Sequence, residues 1–226
     1  MYGKLQAATG PTLLRANLRE TLKAFIFQGS YEPGDRIYEA KIAKEFNVSR
    51  SPVREAVRAL VKEGLLVVND KSQLEVYRPT LTDVEDIYQC RAFLESLAVQ
   101  LTAERAPDHQ LEQLEQLLKK TEEMFENPFV DKNEWVSSNE AFHDHIIAFS
   151  MNERLQKLLG ELRSLTHFYR VINFEGENRK ETIFAEHKEI FRYLKQRDGQ
   201  TASRLMQEHT AHDLSHLKQL LSKKGE

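Results

Sequence analysis

The stretch EAKIAKEFNVSRSPVREAVRALVKEGLLVVNDKSQLEVYRP, residues 39–79, changes its hydrophobic period once, and that change decides the fold. Residues 39–46 read as a short helix burying Ile42, Ala43 and Phe46. Asn47-Val48 makes a tight corner. Ser49 caps a second helix over 51–63, with Pro52 in its first turn, where a missing amide proton is tolerated. This helix is expected to bury Val53, Val57, Leu60 and Val61 and to stop at Gly64. Beyond Gly64 two short β-rich runs, 65–68 and 74–77, flank the polar tip Asn69-Asp70-Lys71-Ser72-Gln73, which is hairpin chemistry.

Upstream, residues 11–29 carry Leu14, Leu18, Leu22 and Phe25 at helical spacing and end at Gly29, before the turn Glu32-Pro33-Gly34-Asp35. A helix, a helix-turn-helix and a two-stranded ribbon describe a winged helix-turn-helix. Downstream the period is helical throughout. Residues 79–82 read as a linker, with Thr82 as the cap of the next helix. Helices are expected at about 82–105, 108–126, 131–150, 152–173, 179–196 and 199–222, an antiparallel all-α bundle of about six helices. The fold class is therefore mainly α, with a winged helix-turn-helix domain at 1–78 and an all-helical domain at 83–226.

Composition agrees. Hydrophobic residues make up 40% of the 226 and charged residues 30%, enough for a core and too apolar for a disordered chain. Nine glycines and six prolines suit helices better than a turn-rich sandwich. The single cysteine, Cys90, excludes an internal disulfide and any C-x-x-C motif, and points to a reducing, cytoplasmic setting. No apolar run is long enough to span a bilayer, and residues 1–10 do not read as a signal peptide, so no membrane partner is expected. The net charge of −3 divides unevenly, as +4 over residues 1–80 and −7 over 81–226. A basic first third suits a module that faces nucleic acid.

In a helix-turn-helix the start of the second helix meets base edges in the major groove. Here it reads Ser49-Arg50-Ser51-Pro52-Val53-Arg54. Arg50 and Arg54, four apart, share a face and suit guanine edges or phosphates, while Ser49 and Ser51 suit phosphate oxygens. Lys71, Ser72 and Gln73 of the wing are placed to reach the adjacent backbone or minor groove. The plain alternative for both arginines is a solvated face shared with Glu55 and Arg58.

Seven of the eight histidines lie after residue 140. Asn139 and His143 lie one turn apart on one helix, His187 lies within another, and His209, His212 and His216 form a stripe on the last. Imidazoles from different helices can converge on a metal in a bundle core, although a lone histidine is more often exposed or a satisfied core residue. His212 and His216 are expected at the surface, His109 in a loop, and His145 pointing away from His143. Arg91 lies close to an apolar stripe of Ile87, Cys90, Leu94 and Leu97. Two roles are open to it, an ion pair with Glu95 one turn on or a bidentate clamp on an effector carboxylate.

The run Pro33-Gly34-Asp35, Ile42-Ala43, Val48-Ser49-Arg50-Ser51-Pro52-Val53-Arg54-Glu55-Ala56, Leu60 and Glu63-Gly64-Leu65 resembles the DNA-binding domain of GntR-family bacterial repressors, over about residues 11–78. The helical remainder of the chain resembles the FadR subfamily with its C-terminal FCD-type ligand-binding domain. The resemblance implies a homodimer on a pseudo-palindromic double-stranded DNA operator, controlled by a small molecule. It also selects among the histidines. Asn139-Glu140-Ala141-Phe142-His143 matches the family's Asp-x-x-Phe-His, and Glu186-His187 and Arg204-Leu205-Met206-Gln207-Glu208-His209 match its two later elements. His143, His187 and His209 thus carry over as ligands of a divalent metal. Asn139 replaces the aspartate, giving a neutral, nitrogen-rich set that favours Zn or Ni. Arg91-Ala92-Phe93-Leu94-Glu95 resembles the family's Arg-x-x-Leu-Glu segment, which implies a small carboxylate effector held by the metal and Arg91. The chain departs from the pattern at Gln73, where the family has a glycine, and at Ala40, where some members place a basic residue that touches DNA and here Lys41 stands beside it.

Three functions compete on these residues. The first is the metal-containing, ligand-responsive regulator. The second is the same DNA-binding regulator without metal, sensing an organic acyl ligand. The third is a metal-dependent hydrolase, against which stands the absence of H-E-x-x-H.

Overall fold

A computed structural model describes residues 18–176 and 178–224. Nine α-helices and a two-stranded sheet occur among them, divided into two units after Pro79. In the first unit α1 (Leu18–Phe27), α2 (Glu39–Glu45) and α3 (Arg50–Lys62) precede β1 (Leu66–Val68) and β2 (Leu74–Val76). The expected first-helix residues 11–17 lie outside the described residues.

Leu18, Leu22, Phe25 and Ile26 of α1 face Val53, Ala56, Val57 and Leu60 of α3, a wholly apolar core. Val61, expected inside, is 36% exposed because it falls one position off the stripe set by 53, 57 and 60. Phe46, the residue after α2, is only half-buried. Asn47 turns the corner in the left-handed region (φ 50). Gly64 (φ 76) ends α3 in a conformation that a side chain would strain.

β1 and β2 pair antiparallel, Leu66 opposite Val76 and Val68 opposite Leu74. The Asn69 side chain shapes the tip by accepting from the backbone amides of Lys71 and Gln73 at 3.0 Å each, and Ser72 is the left-handed residue (φ 58). Arg36 forms an isolated bridge to Glu75, so the segment after the Pro33-Gly34 turn adds a third, short edge to the wing.

The second unit is helical: α4 (Leu81–Arg105), α5 (Asp108–Glu123) with a 3-10 turn at Met124–Glu126, α6 (Lys132–Phe149), α7 (Glu153–Asn173), α8 (Arg179–Lys195) and α9 (Gly199–Lys224). α4 starts earlier than expected. Thr80, not Thr82, is its cap and accepts from the Asp83 amide at 3.1 Å. Asp131 and Glu134 close a capping box at the start of α6. α9 runs along α4, and Gly199 permits this, since a Cβ there would lie 3.1 Å from the Gln100 carbonyl oxygen. The main core joins Leu114, Phe142, Ile146, Ile190, Leu194 and Met206.

The buried face of α4 is not the stripe the sequence suggested. Cys90 is exposed and Leu97 is 40% exposed. The inward row is Val84, Ile87, Tyr88, Arg91, Glu95, Ala98 and Val99, with two charged residues in its middle. Counting apolar residues alone misplaced the face, because Arg91 and Glu95 neutralise each other and go in together.

Candidate functional site

The first candidate surface is the start of α3. Ser49 occupies the cap position with extended backbone, but its side chain makes no capping hydrogen bond, contrary to expectation. Arg50, Ser51 and Arg54 are exposed, as are Lys41, Lys71 and Ser72. Arg54 Nε rests 3.3 Å from Glu39 Oε2, and Lys41 Nζ lies 3.8 Å from Glu45 Oε1, contacts that solvent weakens and an incoming phosphate can displace. Gln73 differs from the rest. It is half-buried, and its Oε1 is enclosed without a hydrogen-bond partner, so it does not offer that oxygen outward.

The second candidate lies inside the bundle. His143 on α6, His187 on α8 and His209 on α9 are 1%, 4% and 1% exposed. Their ring centroids are 4.8 to 5.3 Å apart, and each offers a ligand nitrogen within 4.8 Å of the others. Phe142 stacks on the His187 ring at 4.0 Å and fixes its plane. Asn139, one turn before His143, is 5% exposed and lines a cleft together with His187, Phe142 and Trp135.

Five buried atoms here have no hydrogen-bond partner: both ring nitrogens of His143, Nε2 of His187 and His209, and Oδ1 of Asn139, although His143 Nδ1 lies at ion-pair distance from Glu95. Orphans of this kind are rare in folded proteins and call for an explanation. The opposite nitrogens of two rings face carboxylates. His209 Nδ1 lies 2.6 Å from Glu186 Oε2, and His143 Nδ1 lies 2.7 Å from Glu95 Oε2. This is the carboxylate–imidazole order that orients histidine ligands and raises their basicity. Burial, with the Arg170 charge, pushes His143 down to about 3, and burial beside His209 and His143 holds His187 well below its usual value. Both rings are neutral at pH 7 and can coordinate. The donor set therefore fits a divalent metal.

Around the cluster is a charged shell. Arg91 is fully buried, with Nε 2.7 Å from Glu95 Oε1, so the ion pair is formed. Burial alone would raise the Glu95 carboxyl, but Arg91 and His143 hold it well below the usual carboxylate range. Asp213, one turn after His209, is 1% exposed, and its Oδ2 lies 3.8 Å from His209 Nε2. It is bound by Arg179 and by Asn173 Nδ2 (2.6 Å).

The other histidines lie apart from the cluster. His145 points to the Ala141 carbonyl, away from it. His212 is 62% exposed and touches Glu186. His216 is half-buried rather than at the surface, against the Glu175 carbonyl. His109 is exposed but lies in the first turn of α5 rather than in a loop. The sequence reading missed Tyr88, Arg170, Asp213 and the positioning role of Glu186. The four-residue spacing of His209 and Asp213 was the one local signal for any of them.

Comparison with known proteins decides the family. Residues 14–76 match "Bacterial regulatory proteins, gntR family" and residues 86–212 match "FCD domain". The chain belongs to the GntR family. It is 40% identical over 211 residues to the HTH-type transcriptional regulator YdhC of Bacillus subtilis, covering 93% of this chain and 94% of that one. It is 32% identical over 146 residues to the Nta operon transcriptional regulator of Aminobacter aminovorans, covering 65% and 68%. The structure of McbR/YncC from E. coli has the same fold, with a TM-score of 0.74 at 24% identity over 91% of this chain and 97% of that one. The GntR family, YdhC and the Nta operon regulator are transcription regulators rather than enzymes, so the hydrolase reading falls. A GntR helix-turn-helix implies DNA binding, and an FCD domain implies a small-molecule effector. No helix among the described residues is long and apolar enough to cross a membrane.

Proposed function

We propose that the chain is a ligand-responsive repressor of the FadR type that binds a pseudo-palindromic operator as a homodimer in the cytoplasm. Residues 1–78 read DNA and residues 83–226 sense the effector. Arg50 and Arg54 contact base edges or phosphates, Ser49, Ser51 and Lys41 contact phosphates, and Lys71, Ser72 and Gln73 serve the wing. His143, His187, His209 and Asn139 hold one divalent metal, zinc or nickel, and a small carboxylate effector binds there with Arg91.

The observation that carries this reading is the set of buried atoms with no hydrogen-bond partner, Nε2 of His143, His187 and His209 and Oδ1 of Asn139 foremost among them. A bound metal supplies a Lewis-acid position for a carboxylate oxygen. Glu95 and Glu186 orient His143 and His209, and Phe142 orients His187. The effector acts through its different affinity for the DNA-competent and DNA-incompetent states. The test is fluorescence anisotropy of operator DNA with metal-loaded and chelator-treated protein, with and without small carboxylic acids. A metal-dependent effect of an acid on DNA affinity is expected. An acid effect that persists unchanged after chelation points instead to the metal-free regulator.

A further inference from the structure

A second group of polar atoms without partners lies in the same bundle. Tyr88, Arg91 and Arg170 are 1%, 0% and 4% exposed. Tyr88 Oη, Arg91 Nη1 and Arg170 Nε have no hydrogen-bond partner. The Arg91 guanidinium sits 4.5 Å over the Tyr88 ring, and a single carboxylate, Glu95, separates it from His143. Arg91 thus borders the histidine cluster with Tyr88 against it, and Arg170 lies close enough for its charge to act on His143.

Each buried arginine here has a carboxylate partner, but the partners are not equally close. Arg91 is matched by Glu95, and Asp213 by Arg179. Among the described residues the one ion pair of Arg170 is with Glu140, at 3.9 Å, and that oxygen already lies 2.6 Å from His167 Nδ1. A guanidinium this deep is costly without a closer anion. Burial and the nearby Arg91 charge lower its pKa, so the two cations press on one another.

We infer that Arg170, with Arg91 Nη1 and the Tyr88 hydroxyl, forms an anion subsite beside the histidine cluster, and that the effector is a small dicarboxylate rather than a monocarboxylate. The inference rests on the metal reading above. The proposed metal ligands are neutral, so one carboxylate offsets only one of the two positive charges of a divalent metal and leaves the three orphan donors without an acceptor. A second carboxylate on the same small molecule gives the three orphan donors an acceptor and Arg170 a closer counter-charge than Glu140 at 3.9 Å.

The test is calorimetric titration of the metal-loaded full chain with malonate, succinate and glutarate against propionate, butyrate and valerate, with metal content measured after each run. At least one diacid should bind about tenfold or more tightly than the monoacid of equal carbon count, a difference well within reach of one charge-assisted pair. Arg170→Gln should abolish that preference without changing metal content. Should that variant not fold, Tyr88→Phe keeps the ring under Arg91 and should reduce the preference. Equal binding of diacids and monoacids, or a preference unchanged in the variants, overturns the subsite and leaves the metal reading standing. A preference that survives chelation keeps the subsite and removes the metal. No diacid binding at millimolar concentration overturns the subsite, its donors then being satisfied by buried water alone.

Discussion

In the N-terminal unit the residues proposed to meet DNA, among them Arg50, Ser51, Arg54, Lys71 and Ser72, are exposed, and the core beneath them is apolar. In the C-terminal unit the order is reversed. His143, His187, His209, Asn139, Arg91 and Arg170 lie in the core itself, with polar atoms left without partners. A surface that reads a long polyanion needs no cavity, so stability and function can reside in different side chains. A small ligand must be enclosed to be recognised, so the sensing unit builds its site from core positions and couples function to stability. Substitutions should separate the two properties in the first unit and not in the second.

The largest expected effect sharpens this contrast. Leu60→Ala, at a position with 0% exposure, should cost the N-terminal unit about 2–5 kcal/mol in denaturant titration, with metal content per chain unchanged. Acid should act on the other unit. In metal-free protein His143 stays neutral down to about 3, whereas an unfolded histidine takes up its proton near 6.5. The unfolded state then binds more protons, so stability should be full above about pH 6.5 and fall as pH drops from there towards 3. Melting curves across this range check it, and a flat response would contradict the burial of the cluster. Metal at about a hundredfold over its Kd should stabilise the protein by about 2.7 kcal/mol. His187→Ala should abolish that gain, and an equal melting loss in chelator-treated protein would mark His187 as a packing residue instead. Arg50→Ala and Arg54→Ala should each weaken operator binding by about 1–3 kcal/mol without moving the melting temperature. Unchanged binding in both would remove α3 from the groove. The smallest effect is expected at Thr80→Ala, a loss of about 1 kcal/mol in the thermal stability of the second unit as the α4 cap is lost.

The same contrast explains what the sequence made legible. The period change at Gly64 and the Asn69–Gln73 tip are local signals, and local signals place helices and a hairpin well. The three histidines could be matched to a family pattern one element at a time, and the fold brings them together. What escaped the sequence was set by tertiary context. Arg91 and Glu95 enter the core because they pair, which no hydropathy count of α4 anticipates. Arg170 and Tyr88 lie on helices separated by most of the bundle in sequence, and neither carries a motif. Gln73 looked like a wing-tip contact, yet its amide oxygen is enclosed. The cap of α4 moved from Thr82 to Thr80 because either threonine suits the role and only the packed helix chooses.

The central claim is that partnerless buried atoms on His143, His187, His209 and Asn139 hold a metal. Elemental analysis of the wild-type protein and of His187→Ala, both purified without a metal-affinity tag, tests it most directly. The account predicts about one zinc or nickel per chain in the wild type, lost in the variant. Metal absent from the wild type and not regained on titration, or equal in both proteins, would contradict it.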